Sequence, residues 1–284
     1  MSQSSGLRSR KLSAAIAIII QKIKNFPVWV ATVLPLRVVW DRQEGWISAT
    51  PVGRRFWIHK FKTQPWLIVQ GKSADWGYEL SKIQESPFFH FYRPNTGDRI
   101  VSVGAGIGTE AFLASELVGS SGKILAIEAD PTAFAQLTMG IQLNNFKNVY
   151  PFFCPVTSES NWTAFHLGGL SGADFTTSKI IDAPENSVNF MGFRLDQVLT
   201  LTGFSEPDLM LMNIEGAEYL ALKGLSSLPT RIVISCHDFL ELPGVQTFTK
   251  VSTWLDQHGY KISNFPGSPN KPWEQFYLYG ERDR

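Results

Sequence analysis

After the turn signal Pro94-Asn95-Thr96-Gly97-Asp98, short apolar runs alternate with segments whose apolar residues recur every three to four positions. Residues 100–103, 124–127 and 149–153 read as strands, with one helix reaching Val118 and a second opening at Pro131. Asp130 before Pro131 is a good N-cap pair, and Gly119 and Gly122 end the preceding helix and turn the chain. Polar, strand-like pieces at 162–167 and 188–195 follow. The alternation then resumes with strands over 208–213 and 231–236 around a helix over 217–222, and a helix over 248–258. Consecutive buried strands joined by helices form a parallel sheet covered on both faces, which is an α/β architecture. The last pieces, 260–263 and 275–279, are joined by a Pro/Gly loop and read as an antiparallel hairpin closing the sheet edge.

Charge and aromatic content divide the chain at the same turn. Residues 1–98 hold 14 Lys/Arg against 6 Asp/Glu, a net +8, and carry six of the nine Trp residues; residues 99–284 hold 12 against 19, a net −7. The whole chain carries only +1, so nothing in its charge points to a nucleic-acid partner, and none is expected. Three segments follow: a basic amphipathic helix over 1–26, an irregular α+β extension over 27–95 that is a candidate substrate cover, and the α/β domain over 96–284. A helix is expected where apolar residues recur between 78 and 91.

In the first segment Arg8, Arg10 and Lys11 precede Leu12, Ala15, Ile16, Ile19, Ile20 and Ile23, which share one helical face. Such a face either packs on protein or lies, through residues 8–26, on an anionic membrane surface. The stretch lacks a small-residue cleavage site, and no apolar run reaches the roughly 18 residues that span a bilayer. The expected location is the cytoplasm, either free or held at a membrane surface. Cys154 and Cys236 lie in apolar surroundings and read as buried thiols rather than a disulfide.

The chemistry concentrates at strand ends. Val101 to Glu110 reads V-S-V-G-A-G-I-G-T-E, a strand entering a glycine loop and then a helix, where glycines let a ligand approach the backbone. A dinucleotide fingerprint needs G-x-G-x-x-G, but its third glycine position is Thr109, so a nicotinamide cofactor is disfavoured. A ligand joining an amino acid to a nucleoside without a phosphate remains compatible. Glu128, at the end of the next strand, is placed to accept both hydroxyls of a ribose. Further on, Asp208 to Glu218 (D-L-M-L-M-N-I-E-G-A-E) leads a buried strand into Asn213 and Glu215, which should face the crevice of the glycine loop, while Glu218 suits the first turn of a helix. His237-Asp238 leaves the following strand at the same edge. Histidine near its ordinary pKa is a candidate base for a hydroxyl proton. No ligand spacing joins His237, Asp238, Asn213 and Glu215 into a metal site, and no metal is expected.

The runs VGAGIGTE, AIEADP, DLMLMNIEGAE and RIVISCHDF together resemble the FkbM-type family of S-adenosylmethionine-dependent methyltransferases over roughly residues 78–280. The resemblance implies the class I methyltransferase Rossmann-like sheet, mostly parallel and seven-stranded with an antiparallel last strand. It implies S-adenosyl-L-methionine as cofactor and O-methylation of a hydroxyl on a sugar, glycan, glycolipid or secondary metabolite. By position, Gly104, Ala105, Gly106 and Thr109, flanked by Val103 and Glu110, correspond to the methionine site, with Glu79 and Asn213 near it. Glu128 and Ala129 correspond to the ribose site, and Val156 and Thr157 to the adenine site. His237, Asn213, Glu215 and Asp238 are then the candidates for catalysis. Ser102 and Asn213 stand where the family often has acids. The alternative is a non-catalytic S-adenosylmethionine-binding or assembly protein with a degenerate site.

Overall fold

The structure, a computed structural model, describes residues 37–41, 45–52, 55–61, 83–166, 175–177, 187–240 and 246–283. The chain divides into two compact units: residues 1–78 with 142–145, and residues 79–141 with 146–284. The described strands of the first unit are β1 (Arg37–Asp41), β2 (Gly45–Val52) and β3 (Arg55–Phe61), antiparallel in the order β1-β2-β3. In this sheet Trp40 lies opposite Trp46. The basic stretch 1–26 and Glu79 lie outside the described residues.

The second unit is built on β4 (Arg99–Val103), β5 (Lys123–Glu128), β6 (Val149–Phe153), β10 (Leu209–Met212), β11 (Arg231–Ser235), β12 (Lys261–Asn264) and β13 (Tyr277–Glu281). Their order is β12-β13-β11-β10-β4-β5-β6, and β13 runs antiparallel to both neighbours. The expected sheet and its terminal hairpin are therefore present. Starting from β4, the chain builds β5 and β6 on one side, then returns to build β10 and β11 on the other. The β4/β10 boundary is thus a switch point, and a crevice opens beyond the carboxyl ends of these two strands.

Both faces of the central strands are buried. Val101, Val103, Leu125, Ile127, Met210, Met212, Ile232 and Ile234 join one core with residues of α3 (Leu195–Thr202), α4 (Glu218–Lys223) and α5 (Phe248–Gln257). The alternate positions Ile100, Ile124, Ala126, Leu209 and Leu211 are equally buried. The buried residues of α1 (Thr109–Val118), Ala111, Phe112, Ala114 and Val118, lie outside that first core, and α1 packs on β4 and β5. Each such aliphatic side chain contributes about 1.5–3 kcal/mol on burial, which is why the strands read as near-continuous apolar runs. Asp130 caps α2 (Pro131–Asn144) as expected, its carboxylate accepting the Ala133 N–H.

Between β6 and α3 the chain inserts a small antiparallel sheet of β7 (Trp162–His166), β8 (Phe175–Thr177) and β9 (Ser187–Met191), in the order β8-β7-β9. The strand expected over 188–195 ends at Met191, and Leu195 begins α3 instead. Leu195, Val198 and Leu199 carried that helical spacing, but eight residues rich in Thr and Leu gave a short signal. The helix expected within 78–91 is also corrected in its described part. Residues 83–85 form a single 3-10 turn, because Pro87 lacks the N–H a helix would need there. The chain then lays Phe88 against Tyr277 and Phe91 against Tyr279. Cys154 and Cys236 are free and buried. Among the described residues no helix is long and apolar enough to cross a membrane.

Candidate functional site

The register across the switch point sets Val103 beside Met212, so the glycine loop after β4 and the turn after β10 emerge side by side. Gly104, Gly106 and Gly108 all have left-handed backbones, with φ of 74°, 54° and 98°. A Cβ on Gly104 would fall 1.9 Å from the Asn213 carbonyl oxygen, and one on Gly108 would strike Phe112 and Leu137. These two glycines let protein pack on protein. Gly106 differs, since a Cβ there would meet nothing within 4 Å. It faces open space at the crevice. Asn213, anchored through its N–H to the Val103 carbonyl, has a buried side-chain oxygen Oδ1 without a hydrogen-bond partner among the described residues. A buried acceptor left open beside an open glycine suits a ligand that brings its own donor, such as an ammonium group.

Glu128, at the end of β5, is buried and accepts the Gly106 N–H at 2.6 Å and the Ala129 and Asp130 N–H groups at 2.8 Å each. It therefore ties the glycine loop to the end of β5. Burial raises its carboxyl to about 7 despite these three bonds, which favour the ionised form. A carboxylate offers about four acceptor positions, so one remains for a ribose hydroxyl.

The turn from β10 into α4 bends sharply. Glu215 takes a left-handed φ of 53° and Gly216 follows at 100°. A side chain other than Gly, Asn or Asp in this conformation is strained, and such strain is concentrated at functional sites. The turn carries Glu215 Oε2 to 3.1 Å from His237 Nε2. On the other side of the imidazole, Nδ1 lies 3.0 Å from Glu218 Oε1. Glu218 is 0% exposed, His237 4% and Glu215 27%, so the three form a row from the interior toward the surface. Glu218 is satisfied further by the Gly216 N–H at 2.9 Å and the Thr247 hydroxyl at 2.7 Å.

This geometry gives His237 a carboxylate neighbour at each ring nitrogen. Burial opposes its charge, but hydrogen bonds to Glu215 and Glu218 prevail and raise its pKa to about 9. An acceptor at each nitrogen favours the doubly protonated ring, which has no lone pair to offer as a base. Asp238 has partners of its own. Its Oδ2 accepts the N–H groups of Thr247 and Phe248, both at 2.9 Å, and caps the start of α5.

The other expected positions sort by environment. Ala105 is buried in the loop, and Thr109 opens α1. Glu110 follows it, its carboxyl raised by burial. Val156 and Thr157 are buried beyond β6, with the Thr157 hydroxyl donating to the Glu159 carbonyl. Sequence reasoning missed Tyr277, whose phenol is raised to about 12 by burial and, beyond that, by the charges of Glu110, Glu215 and Glu274. It also missed the role of Glu218. No local spacing signals it: Glu215 lies before α4 on a left-handed turn, and the imidazole that joins the two acids comes from beyond β11.

A family model for the methyltransferase FkbM domain matches residues 102–262, from the middle of β4 into β12, more than half the chain. The chain belongs to the FkbM methyltransferase family. The methyl donor of this family is S-adenosyl-L-methionine. A methyltransferase FkbM from Methylobacillus flagellatus KT is 17% identical with a TM-score of 0.49, over 68% of this chain and 45% of that one. The chain thus spans less than half the length of that relative. Fibrillarin from Aeropyrum pernix, solved with natively bound S-adenosyl-L-methionine, is 13% identical with a TM-score of 0.44, over 86% of this chain and 97% of that one. No curated protein matches the sequence.

Proposed function

We propose that this FkbM-family chain transfers a methyl group from S-adenosyl-L-methionine to a hydroxyl of a small-molecule or glycan acceptor, an O-methylation. The observation that carries the proposal is the row Glu218-His237-Glu215, which ends on a partly exposed carboxylate in the turn that leaves β10, the strand next to β4. The residues of the switch point fit the cofactor. Gly106 leaves the space a Cβ would fill, Asn213 Oδ1 offers an unpaired acceptor to the ammonium, and Glu128 offers one to the ribose. The cofactor supplies an electrophilic methyl group. Everything else falls to the protein: to hold the acceptor oxygen in line, to exclude water, and to take up the hydroxyl proton as the ether forms.

Glu215 is the proposed acceptor of that proton. Its Oε2 is fixed by His237 Nε2, which leaves Oε1 for the acceptor hydroxyl. Tyr277, a neutral phenol at the same edge, can donate a hydrogen bond but holds no charge at neutral pH. The test is incubation with methyl-labelled S-adenosylmethionine and a panel of hydroxylated acceptors, read by mass spectrometry. Label should appear on an acceptor oxygen, and Glu215→Gln should slow it by about 10²-fold or more while leaving cofactor affinity intact. Cofactor binding with no labelled product on any acceptor would reject the proposal.

A further inference from the structure

Glu218 is 0% exposed and touches no solvent, yet its carboxylate is the better-held of the two that flank His237. Three donors converge on it: the Gly216 N–H, the Thr247 hydroxyl and His237 Nδ1. They come from the β10–α4 turn, the start of α5 and the end of β11, so three elements fix one carboxylate. An isolated buried carboxylate is costly, and a helix first turn does not need one at full burial. The arrangement makes sense if the carboxylate acts on its neighbour.

We infer that Glu218 is a positioning residue: through the doubly protonated ring of His237 it holds the Glu215 carboxylate aimed at the acceptor hydroxyl. The inference rests on the O-methylation reading for its consequence but not for its geometry. Nδ1–H points inward to Glu218 and Nε2–H points outward to Glu215, so one rigid ring transmits the position of the buried acid to the exposed one. Both protons are needed, because a neutral ring would turn a lone pair toward one of the two carboxylates. The other groups facing this centre are Cys236 and Asp238 on either side of His237, Phe239 with its ring 5.4 Å away, and Tyr277 of β13, which senses Glu215, Glu110 and Glu274. None of these supplies a cation. Glu215 and Glu218 are therefore what keeps the ring charged, and Glu218 is the partner whose hydrogen bonds are completed inside the fold.

The test reads the ring directly. Imidazole NMR titration of the full chain should show His237 well above the ordinary histidine range in the native protein. In Glu218→Gln its midpoint should fall by about one pH unit or more. Thr247→Val removes one donor to Glu218 and serves if Glu218→Gln does not fold; it too should move the midpoint, by less. In methyl-transfer assays the alkaline limb of kcat should move down with the NMR midpoint, with KM for S-adenosylmethionine unchanged. A native His237 titrating in the ordinary range, or variants that lose activity with an unmoved pH profile, would overturn the inference. A shifted midpoint in a protein that methylates nothing would leave Glu218 as the anchor of His237 and overturn the methyl-transfer reading instead.

Discussion

Gly104 and Gly106 lie two residues apart, share a left-handed backbone, and should respond to the same mutation in different ways. In Gly106→Ala the new Cβ meets nothing within 4 Å, so the cost to the fold is the left-handed conformation alone, about 1–2 kcal/mol. For a domain of this size that lowers Tm by roughly 2–8 °C. The methyl group stands in the space assigned to the cofactor, so the affinity for S-adenosylmethionine should fall by about tenfold or more, the equivalent of ~1.4 kcal/mol. In Gly104→Ala the same backbone cost applies, and the Cβ also falls 1.9 Å from the Asn213 carbonyl oxygen and 2.8 Å from Ile214 Cγ2. Backbone cannot yield as a side-chain tip can, and the ends of β4 and β10 must separate, at a total of about 3 kcal/mol or more. Thermal melts and calorimetry with S-adenosylhomocysteine on the two variants check both halves. A Gly106→Ala protein that binds as well as the native one would refute the open cradle, and a Gly104→Ala protein no less stable than Gly106→Ala would refute the close approach.

Glu128 should make cofactor binding pH-dependent. Its carboxyl is raised to about 7, and only the ionised form accepts freely from a ribose hydroxyl, so affinity should increase as pH rises through about 7 and level off above; calorimetry showing a flat profile from about pH 6 to 8 would contradict this. Asp238→Ala should cost about 1–2 kcal/mol by uncapping α5, lowering Tm without weakening cofactor affinity, as thermal melts and calorimetry would show. A loss of affinity at unchanged stability would instead return Asp238 to the crevice.

The row from Glu218 to Glu215 shows where legibility in the sequence stopped. Asn213, Glu215 and His237 could each be placed at the carboxyl edge of the sheet, because a strand's direction and its exit follow from the alternation of apolar runs and helices. Which of them acts as a base could not, because a histidine's pKa is set by partners distant in sequence. His237 finds Glu218 nineteen positions earlier, and Glu218 finds Thr247 twenty-nine positions later. The same holds for Asp238, whose two N–H partners at the start of α5 lie nine and ten positions later. Glu128 was legible as an acid at the end of β5, but not as the group that holds the Gly106 N–H.

The sequence by itself determined the alternation of strands and helices, the terminal hairpin and the glycine loop, since these follow from local periodicity, turn residues and spacings of a few positions. The three loop glycines looked alike there. Tertiary structure alone decided that two of them admit neighbouring protein and one faces open space, that two carboxylates flank one imidazole, and that a neighbouring aspartate accepts the N–H groups at the start of α5. Each of those distinctions depends on which distant atoms come within a few ångströms. Packing fixes that, and periodicity does not encode it.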